Sequence, residues 1–213
     1  MTVISTANPS VDTASIVAEF GGQATQSVDI MIGVGLFKDS EAVYFQYAGD
    51  DQKVALVDNL GKPVTRIGNV TLTGLSIVDD VYAETGFSGS KLNIFLETQN
   101  GRSVMLTSGL STIWSQCLMV CLMGLYRSAS LDHLIAIETW KGTSMMKPCF
   151  AAVRDGAIKV TDNEMYHALA DARSDKDKVK TDALMRDAVE VINSQLTGGV
   201  IDAVVNEVVE AEF

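Results

Sequence analysis

The sequence predicts a mainly β chain with helices, built on a five-stranded barrel with one helix between the third and fourth strands. Three observations carry this expectation. Leu110 to Tyr126, LSTIWSQCLMVCLMGLY, has no charge before Arg127 and is apolar on nearly every face, so it reads as a buried helix. Three strand-like segments precede it and two follow. The first of these, Val64 to Val78, is long for one strand and contains Gly68 and Gly74, which let a strand bend around a barrel corner.

Taken in order, residues 1–27 are rich in Ser, Thr, Ala and Gly and are read as an N-terminal arm with no assigned fold. Val28 to Phe37 and Ala42 to Tyr47 are strand-like runs separated by the turn-forming Lys38-Asp39-Ser40, an expected hairpin. Lys53 to Val57 adds a short strand before the turn Asp58-Asn59-Leu60-Gly61. After Val64 to Val78 comes the polar connection Asp79 to Ser90. Lys91 to Glu97 and Arg102 to Thr107 then flank Asn100-Gly101, a strong hairpin signal because both residues tolerate positive φ. Beyond the buried helix, His133 to Lys141 and Cys149 to Val160 are the last two strands, the latter interrupted by Arg154-Asp155-Gly156. Three strands, a helix and two strands is the order of an OB-fold barrel, here spanning about 64–160 inside a unit of 28–160 with the hairpin as an N-terminal extension.

Residues 161–213 are expected to form an acidic helical C-terminal region. Thr161-Asp162-Asn163-Glu164 has the form of a capping box. Leu184, Met185, Ala188, Val189, Ile192 and Leu196 recur at helical spacing up to a Gly198-Gly199 stop, after a charged patch from Arg173 to Lys180. Ile201, Val204, Val205, Val208 and Val209 then place one apolar stripe on a last short helix. The stripe can dock on the barrel itself, on a second copy or on a partner.

At 213 residues and 47% hydrophobic content the chain can bury a real core. No basic region followed by an apolar run stands at its start, and Cys117 to Leu125 is far short of the roughly 20 residues of a membrane span, so a soluble cytoplasmic protein is expected. Cys117 and Cys121 lie four apart on the buried helix, as small apolar packing groups in a reducing compartment. The net charge of −11 argues against coating nucleic acid or anionic lipid with the whole surface. It is unevenly spread: residues 160–213 carry five Lys or Arg against twelve Asp or Glu, leaving −4 for the rest.

No catalytic constellation stands out, and neither enzyme activity nor a cofactor or metal is expected. Gly86-Phe87-Ser88-Gly89-Ser90 ends in Ser where a nucleophile elbow needs Gly. Gly33-Val34-Gly35 is followed by Lys38 where a dinucleotide fingerprint needs its third glycine. His133 and His167 have no Cys or carboxylate at metal-ligand spacing.

Strand alternation names binding residues instead. With Leu92, Ile94 and Leu96 inside, Lys91, Asn93 and Phe95 turn outward; with Val104 and Leu106 inside, Ser103 and Met105 turn outward and Arg102 sits at the hairpin tip. Ile135 and Ile137 inside place Glu138 and Trp140 outside, with Lys141 at the loop mouth. Ala151 and Val153 inside place Phe150 and Arg154 outside, beside the loop that holds Lys147. Tyr82 and Phe87 in the Asp79 to Ser90 connection are further stacking candidates. Aromatic rings interleaved with cations suit single strands, whose unstacked bases need flat faces and whose phosphates need positive charge. Trp114, inside the helix, is expected in the core.

With those residues in view, the chain resembles the OB-fold single-stranded DNA-binding proteins of tailed bacteriophages. The resemblance runs from Thr73-Gly74-Leu75 to Lys159, where KLNIFLETQNGRSVMLTSGL leads into a helix and then HLIAIETWKG, and covers roughly 100 of 213 residues as a pattern. It implies sequence-tolerant binding of single-stranded DNA in replication or recombination, in the host cytoplasm. It also implies an acidic tail ending in an aromatic residue that recruits replication or recombination proteins, here Glu207, Glu210, Glu212 and Phe213. Val205, Val208, Val209, Glu210, Glu212 and Phe213 are thus the partner-binding set, and a homodimer is expected. This tail is Val-rich and sparse in acid where the family has a dense acidic run. The competing reading is a non-enzymatic structural or assembly protein of virion type, oligomerising through the C-terminal stripe.

Overall fold

The computed structural model describes residues 28–35, 41–47, 52–79, 89–143 and 148–209, with side chains of the last helix described as far as residue 196. Nine strands form one sheet: β1 (Ile30–Val34), β2 (Tyr44–Tyr47), β3 (Lys53–Ala55), β4 (Arg66–Val78), β5 (Lys91–Thr98), β6 (Ser103–Gly109), β7 (Ile135–Lys141), β8 (Cys149–Asp155) and β9 (Ile158–Val160). Among the described residues three helices accompany them: α1 (Ile113–Arg127), α2 (Asn163–Ser174) and α3 (Lys178–Val209).

The strand order is β3-β2-β1-β6-β5-β4-β7-β8-β9, an open and mostly antiparallel sheet. It is wider than the five-stranded barrel expected over 64–160. The outer edge of β6 is taken by β1, running parallel to it from Ile30 opposite Val104 to Gly33 opposite Thr107. The outer edge of β8 is taken by β9. The N-terminal hairpin is therefore part of the main sheet. Its own antiparallel pairing, Gly33 with Phe45 and Val34 with Tyr44, is as expected.

β4 carries the bend that its glycines announced. It pairs with β7 from Arg66 to Val70 and with β5 from Val70 to Val78, and the register shifts twice, between Gly68 and Val70 and between Leu72 and Gly74. Asn69, the extra residue of the first bulge, has φ 56°, the left-handed conformation that Asn tolerates better than most side chains. Gly101 has φ 72° in the β5–β6 turn, as Asn100-Gly101 predicted.

The sheet is rolled. In strand order β2 and β7 stand five spacings apart, about 24 Å in a flat sheet. Yet the Tyr44 hydroxyl on β2 lies 2.6 Å from Thr139 Oγ1 on β7. The indole Nε1 of Trp114 donates to the same Thr139 oxygen at 3.0 Å, which ties α1 into the roll. Trp114 is 1% exposed, in the core as expected. Around it Leu118, Met119, Leu122 and Leu125 pack against Leu92, Ile94, Leu96, Leu106, Ile135 and Ile137, all buried. α1 touches β8 as well as α2 and α3, so its apolar character on all sides has a partner on all sides. Gly124 permits the closest approach: a Cβ there would sit 2.8 Å from Val160 and 2.9 Å from the Thr161 carbonyl.

Two helix boundaries differ from the sequence expectation. The cap of α2 is Asp162, one residue after Thr161: its carboxylate accepts from Met165 N at 2.6 Å and meets Arg127 Nε at 2.6 Å, two charge-assisted contacts that a threonine hydroxyl cannot match. Glu164 turns to Arg127 Nη2 at 2.8 Å. α3 runs through Gly198-Gly199 to Val209, where a stop and a separate short helix were expected. Among the described residues no helix is long and apolar enough to cross a membrane.

Thr139→Val keeps the shape of residue 139 but strips the partner from two buried polar groups. Urea unfolding should show a loss of about 2–4 kcal/mol at unchanged m. A loss below about 0.5 kcal/mol would show that the Tyr44–Thr139–Trp114 junction does not hold the roll.

Candidate nucleic-acid interface

The outer face of β7 and β8 carries the best-formed group of surface side chains. Trp140 and Phe150 are directly opposite each other in the ladder, with ring centroids 5.8 Å apart and planes at 19°. Trp140 is 43% exposed, a large share for an indole, so the face of the stack stays open to solvent. Alternation turns these rings outward because Ile137 and Thr139 on β7, and Ala151 and Val153 on β8, are taken by the core.

Charges surround the rings. Glu138, two residues before Trp140 on the same face, accepts from Arg154 Nε at 2.8 Å. Arg66 of β4 stands opposite Glu138 and is exposed. Lys159 of β9, opposite Arg154, holds its Nζ 5.9 Å from the Trp140 ring centroid. Beyond the rings, the Gly142 N–H donates to the Pro148 carbonyl at 2.8 Å and closes the β7–β8 connection. A Cβ on Gly142 would meet the Phe150 ring at 2.8 Å, so glycine lets that ring lie against the loop. Trp140, Lys141, Gly142, Thr143, Pro148 and Phe150 line an open pocket of about 350 Å³. Flat apolar surface ringed by cations can stack a planar group and neutralise an anion beside it.

The structure divides the sequence-predicted set. Trp140, Lys141, Phe150 and Arg154 come together. Phe95 lies elsewhere: it is opposite Gly74 and Met105, whereas Trp140 follows the Glu138 that faces Arg66 at the other end of β4. Eight residues of β4 separate those levels, about 26 Å along the strand. Phe95 is half-buried, with Gly74 beneath its ring. Met105 and Asn93, expected outward, are 9% and 8% exposed. Their face is covered because β1 extends the sheet beside β6 and brings Met31 next to Met105, and Asn93 donates to Ser76 Oγ at 3.3 Å. Lys91 begins β5 opposite Val78, half-buried, and Arg102 is exposed at the β5–β6 turn. Tyr82, Phe87 and Lys147 lie outside the described residues, as do Glu210, Glu212 and Phe213 and the side chains of Val205, Val208 and Val209.

Three groups escaped the sequence reading. Lys159 and Arg66 were legible by alternation, each being the outward residue of its strand. Arg186 of α3 was not. Its guanidinium meets Asp79 Oδ1 at 2.6 Å, Ser90 Oγ at 3.2 Å and Asp182 at 2.7 Å, so one side chain grips both ends of the β4–β5 connection. Hydrogen bonding from Arg186, then from Ser90, holds the Asp79 carboxyl below its ordinary range. Nothing in local periodicity joins residue 186 to residues 79 and 90.

Cys117, Cys121 and Cys149 are free, and burial pushes each thiol above its ordinary range, away from the reactive thiolate. Among the described residues no three or more His, Cys, Asp or Glu gather where they could hold a metal ion.

No protein-family model, no curated protein and no solved structure matches this chain.

His133, two residues before β7, places Nδ1 2.8 Å from Asp155 Oδ2. The hydrogen bond to Asp155, helped by its charge, raises the imidazole above its ordinary value of 6.5. The pair therefore contributes its full stabilisation below that value and loses it as pH rises through the raised one. Proton NMR titration should find His133 titrating higher in the native protein than in Asp155→Asn; equal midpoints would sink the pairing.

Proposed function

We propose that the chain binds single-stranded nucleic acid, DNA in the first instance, without catalysis, by stacking bases on the outer face of β7 and β8. The observation that carries this is the exposed Trp140–Phe150 stack with Lys159 beside it and Lys141 at the adjoining pocket. A base stacked on an aromatic side chain contributes about 1–3 kcal/mol whatever its identity. The cations Arg66, Lys141 and Lys159 supply the phosphate side on an otherwise acidic chain. Strands β4, β5 and β6, helix α1 and strands β7 and β8 follow one another in the order of an OB-type unit, and this supports reading them so, with β1–β3 and β9 as additions at its edges. Recruitment of replication or recombination proteins by the segment ending in Phe213 belongs to the same proposal.

Fluorescence reads the proposal directly, because Trp114 is sealed in the core and Trp140 is exposed. Oligo-dT should quench Trp140 saturably, duplex DNA of equal length should not, and the affinity should fall with salt with a slope near −2 to −3 for three or four phosphate contacts. Trp140→Ala with Phe150→Ala, read by gel shift, should weaken binding about ten- to a hundredfold with the fold intact. A folded double variant of unchanged affinity would overturn the site. Failure of the native protein to bind any nucleic acid would turn the reading toward an assembly protein that oligomerises through its C-terminal stripe.

A further inference from the structure

A carboxylate is an odd neighbour for a phosphate-binding face, and Glu138 lies in the middle of this one. It is flanked by Arg66 across β4 and ion-paired with Arg154, two residues before the Trp140 of the Trp140–Phe150 stack. Only one of its oxygens meets Arg154, through Nε, while Arg154 Nη1 reaches the Ala157 carbonyl at 3.3 Å. Side chains at i and i+2 of a strand point the same way, about 7 Å apart, so Glu138 stands next to Trp140, and the Arg154 side chain, whose own residue is opposite Ala136, reaches toward the ring as far as Glu138.

We infer that Glu138 and Arg154 read the edge of the base stacked on Trp140, favouring bases that carry an exocyclic amino group over thymine. This rests on the reading of Trp140 as a stacking platform. The charges argue for a base edge: beside Glu138 a phosphate meets a like charge, whereas Lys159 reaches the Trp140 ring from β9 and Lys141 lines the adjoining pocket. The chemistry argues for the amino group. Cytosine presents its N4 amino donor next to the N3 and O2 acceptors, so a carboxylate takes the first and a guanidinium the others. Thymine sets two carbonyl oxygens on either side of N3–H, and a carboxylate approaching that proton faces both. The site is then sequence-tolerant in its stacking and selective at one position.

Competition between oligo-dC and oligo-dT of equal length, at pH 7.5 and fixed low salt, tests this with two pyrimidines of similar size. The native protein should bind oligo-dC about five- to tenfold more tightly. Glu138→Gln should bring the ratio close to one, and Arg154→Lys, which keeps the charge but loses the planar fork, should lower it as well. Equal affinity of the native protein for both oligomers overturns the inference, as does a ratio that survives Glu138→Gln. So does equal tightening of both by Glu138→Gln, which would make the carboxylate a plain electrostatic brake. The platform fails separately: Trp140→Ala would then leave both affinities unchanged.

Discussion

Everything in this fold turns on one strand serving two ladders. β4 gives its first residues to β7 and the rest to β5, and the handover at Val70 is made by bulges on either side of it. Each bulge adds a residue to one strand alone, which bends the strand and increases its twist. Without that bend the two halves of the sheet would lie flat and leave α1 with one wall. With it, the sheet wraps the helix, and residues as far apart in strand order as Tyr44 and Thr139 come into hydrogen-bond contact.

The same handover decides where binding side chains can cooperate. A strand's two ends face different neighbours, so outward residues that look equivalent along the sequence are sorted to opposite ends of β4. Trp140 and Phe150 find each other because they are opposite in one antiparallel ladder, and their cations come from β4, β8 and β9 around them. Phe95 instead lies in register with Met105 and Met31, on a face that is largely covered. A comparable cluster forms on β2, where the Phe45 ring lies over Gly33, meets Tyr47 edge-on at 5.4 Å and has Lys53 Nζ 4.7 Å above it. Phe45 is 4% exposed, so its ring fills the space that glycine vacates.

Local order was legible because it rests on short-range rules. Period-two alternation placed Leu92, Ile94, Leu96, Ile135, Ile137, Ala151 and Val153 inside, where all are buried. An uncharged seventeen-residue run marked the buried helix, and Asn-Gly marked a turn. What the residues did not disclose was pairing between distant segments. The parallel contact of β1 with β6 joins stretches about seventy residues apart and depends on which edges are left open, a property of the whole sheet. That contact also explains why Met105 and Asn93 are covered. Within the candidate site, alternation found the rings and Arg154, and it holds for Lys159 too, although there it is carried by a strand of three residues after a tight turn.

Helix α3 has one further consequence. Past Val70 the far side of β4 has lost β7, and there Asn193 lends its amide: Oδ1 accepts from Leu75 N at 3.0 Å and Nδ2 donates to Leu75 O at 2.8 Å. A side chain thus imitates the peptide group of an absent neighbour. The long strand at the centre of the molecule would otherwise offer a bare hydrogen-bonding edge to any passing chain, the ordinary template for aggregation. Helix α3, tied to the β4–β5 connection by Arg186, covers the stretch of edge where such templating would begin.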